Sequence, residues 1–290
     1  MLVRETAASG VRLRDQRSLE RIRRGAYVAR VPPLGPARDR RRLARARICA
    51  VHAQLRLEHW FSHESAAVLW GCDVVGLTGL VHVVQETRPH ARGGDPVVRH
   101  YGRLLDEHRA EVDGFPVTSL ARTVVDCAGS LPADRGLVVA DSALRRGLDP
   151  TELADVVRSR AGTRGVARAR LVLDAADGRA ESPGETILRW ALVAGGLPVP
   201  EPQVEVRTRR GLFRLDLGWP AAQVGMEFDG FVKYSGAFGS TAPEVVFAEK
   251  QRQDAIEDEG WRVLRVTWGD LRDTDALVRR VRRALTGRRR

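Results

Sequence analysis

From residue 181 onward, apolar and polar positions fall into blocks that read as helix, three strands, helix, strand, helix. Ser182-Pro183-Gly184-Glu185 opens a helix that runs to about Ala194, with Ile187, Leu188, Ala191 and Leu192 on its apolar side. Val204–Thr208 alternates as a strand. In the next strand Phe213, Leu215 and Leu217 share one face, and Arg214 and Asp216 the other. In the third, Val224, Met226 and Phe228 are apolar, and Glu227 and Asp229 point the opposite way together. Pro243–Glu259 reads as a helix. Trp261–Trp268 is a near-continuous apolar run, as in a strand buried on both faces. Asp270–Leu285 closes the chain as a helix striped with Leu277, Val278, Val281, Ala284 and Leu285, before an Arg288-Arg289-Arg290 tail.

The first part of the chain has a different texture. An Arg-rich helical stretch, Arg12–Arg24, precedes a short strand at Gly25-Ala26-Tyr27-Val28, and Pro32-Pro33 breaks the chain. Helix, turn and basic hairpin would make a small winged-helix DNA reader; a capped helix with a solvated basic face accounts for the same residues. Arg38–Leu55 is the next helix, and Ser62 is placed to cap another in which Ala66, Ala67, Leu69 and Trp70 are buried. Within Ser62-His63-Glu64-Ser65, His63 and Glu64 are either a catalytic pair or a helix start with an acid in its first turn. A strand at Leu80–Val84 leads to a basic loop, Arg88–Gly94, which is either a phosphate contact or a solvated hairpin end. Helices follow at Thr118–Gly129, Ala133–Gly147, Asp149–Ser159 and Gly165–Ala176.

The expected architecture is α/β overall. It has a winged-helix-like unit at 1–35, a mixed, mainly helical region at 36–178, and an αβββαβ core at 179–290, with the boundary at Asp177-Gly178-Arg179.

Composition adds a partner. The net charge of +11 makes a polyanion, nucleic acid before all others, the expected ligand. Residues 179–290 hold 19 basic and 16 acidic side chains, so +8 of the +11 sits in residues 1–178. Of 48 basic residues 46 are arginine, a usage that genome composition alone also produces. The two lysines, Lys233 and Lys250, fall close together, where a site needing a tunable ammonium would place them. Three scattered cysteines, Cys49, Cys72 and Cys127, read as buried reduced thiols without a CxxC pair or a neighbouring histidine cluster. No run of about 18 apolar residues and no secretory leader occur, so a cytoplasmic protein with no membrane partner is expected.

The carboxylates give the chemistry. A symmetric turn within Pro220-Ala221-Ala222-Gln223 pairs 216 with 227, setting Asp216 and Glu227 side by side about 5 Å apart. Like charges so placed call for a cation between them. Mg²⁺ (or Mn²⁺) held there, with Asp229 as a further ligand, would activate water and offset charge on a scissile phosphate. A solvated hairpin face is the plainer alternative, although acids are depleted in strand interiors. Lys233 or Lys250 could stabilise the reacting phosphate, and Lys250 could equally pair with Asp254 one turn on. Glu185 has capping-box spacing from Ser182 and could also contribute a carboxylate.

The ordered set Glu185 … Asp216 … Glu227-Phe228-Asp229-Gly230 … Glu249-Lys250 … Gly260-Trp261-x-Val263-Leu264-Arg265 resembles the domain-of-unknown-function 559 family. That family belongs to the restriction-endonuclease-like PD-(D/E)XK superfamily and is related to very-short-patch repair endonucleases. The resemblance covers 181–290 and implies that Asp216 and Glu227 bind Mg²⁺ while Glu185 adds a helix carboxylate. The superfamily's lysine, two positions after the acid, is Asp229 here, so the ammonium is expected from Lys233 or Lys250. Residues 1–178, with RRGAYV at 23–28, SHESAAVLWG at 62–71 and GFPVTSLARTVVDCA at 114–128, resemble AbiEi-like abortive-infection antitoxins with a shortened N-terminal motif. Three functions are compatible with these readings. The first is a DNA-binding, Mg²⁺-dependent endonuclease of defence or repair. The second is an antitoxin-type transcriptional regulator that binds DNA without cleaving it, and the third is an interaction protein of a defence system. A homodimer is left open.

Overall fold

The structure, a computed structural model, describes residues 17–87, 96–230 and 243–287, together with the backbone of strand 2–4; of helix residues 243–246 it describes the backbone alone. Lys233, the Arg88–Gly94 loop and the Arg288–Arg290 tail lie outside the described residues, as do residues 12–16 of the expected first helix. The fold is α/β, with helices and mixed sheets. No helix among the described residues is long and apolar enough to cross a membrane. The chain forms two compact units, Met1–Asp174 and Ala175–Arg290.

The N-terminal unit opens with an antiparallel sheet ordered β1-β3-β2, from β1 (Leu2–Arg4), β2 (Leu19–Arg23) and β3 (Ala26–Ala29). Residues 19–23 are therefore strand, where their arginine content suggested helix. Gly25, at φ 70, makes the tight turn to β3, a backbone region that side-chain-bearing residues avoid. Tyr27 and Val28 are buried while the arginines of β2 stay at the edge, so burial on one side overrides helix propensity.

Helix α1 (Pro36–Gln54) packs Ile48 and Val51 onto a second sheet, in a core with Phe61, Val83 and Val117. That sheet is ordered β6-β5-β4-β8-β7, from β4 (Trp60–Phe61), β5 (Val81–Gln85), β6 (Val97–Tyr101), β7 (Arg109–Val112) and β8 (Phe115–Thr118). The strand expected at Leu80–Val84 thus has four unforeseen companions. Between β4 and β5 lies the short helix α2 (His63–Leu69), whose residues are all buried. Four helices complete the unit: α3 (Leu120–Ser130), α4 (Ala133–Arg145), α5 (Pro150–Ser159) and α6 (Val166–Leu173). Asp149 caps α5 by accepting a hydrogen bond from the Thr151 amide at 2.8 Å. A methyl group added at Gly129 would lie 3.0 Å from the Gly165 carbonyl oxygen, so glycine lets α3 meet the start of α6.

The C-terminal unit has the expected order: α7 (Pro183–Ala194), β9 (Glu201–Thr208), β10 (Gly211–Trp219), β11 (Val224–Asp229), α8 (Pro243–Asp258), β12 (Arg262–Thr267) and α9 (Thr274–Thr286). Its sheet runs β12-β11-β10-β9, with β11 and β12 parallel and the other pairs antiparallel. Leu188 and Leu192 of α7, Met226 of β11, Val266 of β12 and Val281 of α9 share one core. Leu215 packs instead with Val204, Val206 and Ile256 of α8. β12 is an edge strand rather than a doubly buried one. Leu264 and Val266 are buried, but Arg262 and Arg265 are exposed on this last strand of the sheet, where Arg265 reaches Glu249 of α8.

Candidate functional site

Hairpin β10–β11 carries the acids. Its register pairs Leu217 with Met226, Gly218 with Gly225 and Trp219 with Val224, as the turn at 220–223 dictates. The ladder stops one residue short of the 216–227 pair. Asp216 is also absent from the ladder with β9, where its opposite number, Gln203, has φ 56. Left-handed backbone in a strand breaks the hydrogen-bond repeat on the β9 side, and on the β11 side the Phe228 amide donates to Asp216 Oδ2 at 2.7 Å. Asp216 and Glu227 are thus not a ladder pair. They nevertheless line one cavity of about 390 Å³ with Phe228, Asp229, Glu249, Arg252 and Arg265.

Burial pushes the Asp216 carboxyl up to about 6, against the downward pull of the Phe228 amide, and Glu185, Glu227 and Glu181 add repulsion. Glu185 is buried. Its amide donates to Ser182 Oγ at 3.2 Å, while its Oε2 accepts from the Glu181 amide at 2.9 Å and from Gln203 Nε2 at 3.0 Å. Ser182 therefore caps α7, while the Glu185 carboxylate braces the residue before the cap and presents its charge to Asp216. The tilt of Gln203 that breaks the ladder and the hydrogen bond that holds Glu185 belong to the same residue.

Glu227 is met by two arginines. Arg252 Nη2 lies 2.5 Å from Glu227 Oε1, a charge contact off the hydrogen-bonding direction, and Arg265 Nε lies 3.8 Å from Oε2. Arg252 also donates to the Arg214 carbonyl at 3.0 Å, and Arg265 pairs with Glu249. Lys250, expected at the site, is exposed and does not line the cavity. Glu249 and Arg252 take the sheet-facing side of α8, and at about 100° per residue that turns position 250 away. Among the described residues Lys250 makes no ion pair with Asp254 either. Arginine on α8 was the signal that attention to the rare lysines passed over. Asp229 is at the exposed rim.

The oxygen-only donor set fits a hard divalent cation. Asp216 sits close to other carboxylates, and Glu227 Oε1 is buried with the Arg252 guanidinium as its cationic neighbour. No three of these acids among the described residues draw ligand atoms within 4.8 Å of one another. Two carboxylates completed by water and phosphate are a usual Mg²⁺ arrangement.

The N-terminal unit holds a cluster that the sequence reading missed. His63, His82 and His100 bring ring nitrogens within 4.8 Å of one another. Burial pushes His82 down to about 4, and His100 beside it lowers it further. Ser62, expected to cap α2, instead shares a hydrogen bond between its Oγ and His63 Nδ1 at 3.0 Å. Glu64 is in the first turn of α2, and its Oε2 lies 3.6 Å from His82 Nε2. Of the thiols, Cys72 and Cys127 are buried, but Cys49 is only partly so.

Two uncharacterized proteins from two strains of Mycobacterium tuberculosis are similar to this chain. Each is 29% identical over 224 residues, which is 76% of this chain and 79% of the relative. No family model matches the chain. No solved structure matches it.

Proposed function

We propose that the C-terminal unit hydrolyses phosphodiester bonds of nucleic acid, DNA first, with Mg²⁺ or Mn²⁺ held by Asp216 and Glu227. This is the reading to which the resemblance to PD-(D/E)XK nucleases of the domain-of-unknown-function 559 kind leads, in a protein acting in the cytoplasm. The observation that carries it is the half-buried Asp216, raised to about 6 among Glu185, Glu227 and Glu181, a concentration of negative charge that a bound cation relieves. When bound, such an ion lowers the pKa of a water and offsets charge on the phosphate.

The chain's own residues do the rest. The Phe228 amide fixes the direction of Asp216, and Gln203 holds Glu185 behind it. Arg252 holds the place of a cation against Glu227, and with an ion bound there its guanidinium would be available to a phosphate. Asp229 adds a further acidic side chain at the exposed rim of the cavity. The excess positive charge of residues 1–178 attracts the polyanion and brings it to the protein.

A second reading, a regulator that binds DNA without cutting it, is favoured by one feature: an arginine already neutralises Glu227 and no described lysine reaches the cavity. A nicking assay on supercoiled plasmid separates the two. The nuclease reading expects cleavage with Mg²⁺ or Mn²⁺ that stops in EDTA, and a loss of about 10²-fold or more in Asp216→Asn and Glu227→Gln. Gel-shift binding by all three proteins in the absence of any cleavage would establish the regulator instead.

A further inference from the structure

We propose that His63, His82 and His100 form a second, nitrogen-donor metal site in the N-terminal unit, selective for a zinc-class divalent ion. The three rings come from different elements: His63 opens α2, His82 is on β5 and His100 is on the neighbouring parallel strand β6. His82 and His100 lie beside each other because β5 and β6 are in parallel register, Val83 against Arg99 and Val84 against His100. His82 Nδ1 and His100 Nε2 are 3.1 Å apart. Tetrahedral zinc with nitrogen ligands sets neighbouring donor atoms about 3.3 Å apart.

The outer nitrogens decide which atoms face inward. His63 Nδ1 is taken by Ser62 Oγ, which leaves its Nε2 as the ligand atom. His82 Nε2 faces the Glu64 carboxylate at 3.6 Å, leaving Nδ1 as the ligand atom. A carboxylate or hydroxyl on the far nitrogen is what orients imidazole toward a metal and fixes its tautomer. His63 reaches the cluster from a backbone φ of 50, the left-handed region that residues with a side chain avoid, so the local fold accepts strain to aim this ring. His63 and His100 stack, with centroids 3.8 Å apart and planes 14° from parallel. Rings so stacked point their in-plane lone pairs side by side, so a shared ion would require them to tilt toward a common point.

Three histidines leave one coordination position for an exchangeable ligand, the pattern of reactive rather than structural zinc. His63 and His100 line a cleft of about 900 Å³ whose walls include Arg122, Asp126, Arg160 and Arg164. Buried Asp126 accepts from Arg122 Nε at 2.9 Å and lies 3.6 Å from Arg160, which anchors both guanidiniums at the wall. An ion held there would face this cleft, whose basic wall suits an anionic ligand.

The test uses the full chain, stripped with EDTA and dialysed. Zn²⁺ titration by calorimetry is expected to show one tight equivalent, weakened more than about tenfold in His82→Ala and in His100→Gln and kept in an Asp216→Asn/Glu227→Gln double variant. Circular dichroism confirms that each variant is folded. The wild-type chain alone gives a second reading that needs no substitution. The Co²⁺ form should show the visible bands of a low-coordinate nitrogen site without a thiolate charge-transfer band, and Zn²⁺ should protect His63, His82 and His100 from diethylpyrocarbonate. No tight equivalent in the wild type, binding unchanged in folded His82→Ala, a thiolate band, or loss of binding in the double variant would each overturn the site.

Discussion

Replacing Asp216 with asparagine should stabilise the metal-free protein at neutral pH, although the substitution removes a group placed at the centre of the site. Asparagine keeps an oxygen that can accept from the Phe228 amide, so the hydrogen bond at 2.7 Å survives while the charge goes. The folded-state pKa of Asp216 is about 6 against an ordinary 3.8, a rise caused first by burial and then by the neighbouring glutamates. Native protein therefore holds a proton that the unfolded chain has released between about pH 4 and 6, stability falls as pH rises through that window, and the full penalty stands above it. At about 1.4 kcal/mol per pH unit the upper bound is about 3 kcal/mol. Asp216 is only partly buried, so solvent screening reduces this to about 1–2 kcal/mol. Urea unfolding of both proteins measures it, with hydrogen exchange of β10 peptides identifying the transition of the C-terminal unit. The variant should gain about 1–2 kcal/mol at pH 7.5, and the gain should vanish near pH 4. Saturating Mg²⁺ should then stabilise the wild type more than the variant, reversing part of the difference. A variant that is less stable at pH 7.5, or whose gain persists unchanged at pH 4, would refute the crowded-carboxylate argument.

Three further outcomes follow from the same geometry. Gly184→Ala places a methyl group 2.0 Å from the Phe228 ring, which is itself set edge-on to Trp268, so thermal melts should show a loss of about 1–3 kcal/mol in the C-terminal unit. Arg252→Met leaves Glu227 facing only the more distant Arg265; the metal-free protein should lose about 1 kcal/mol or more in urea unfolding, and Mg²⁺ should recover more of it than in the wild type. Burial pushes the Cys72 thiol up to about 11 and Cys127 well above its ordinary value, whereas Cys49 is partly exposed, so mass spectrometry after brief alkylation of native protein should find label at Cys49 first.

The C-terminal unit was legible because each of its elements carries its own period. The bounds of the segment at 224–229 match β11, although its first three residues are all buried, and the spacing of the turn at 220–223 fixed the pairing of Leu217 with Met226. What it could not reveal is the lapse at Asp216. On the β9 side that lapse falls opposite the left-handed Gln203, a residue with no local signature in β10. The burial of Trp261–Trp268 was overestimated for a related reason: apolar content shows that a strand can be covered, but neighbours decide whether it is. In the N-terminal unit, β4 is two residues long and β8 four, too short for any alternation to register. With those strands unseen, residues 63, 82 and 100 had no reason to meet.

The two candidate metal sites sort ions by donor chemistry. The C-terminal cavity offers carboxylate oxygens, which suit Mg²⁺ or Mn²⁺, and the N-terminal cluster offers imidazole nitrogens, which suit zinc. EDTA removes both classes of ion, so loss of cleavage in EDTA says that a metal matters and leaves open which donors hold it. Restoring ions one at a time resolves this. Mg²⁺ binds imidazole sites poorly, so activity that returns with Mg²⁺ alone belongs to the carboxylates, with the histidines outside the chemistry. Activity that needs Zn²⁺ as well would couple the histidine cluster to hydrolysis, and it would have to fall in His82→Ala even when Asp216 and Glu227 are intact.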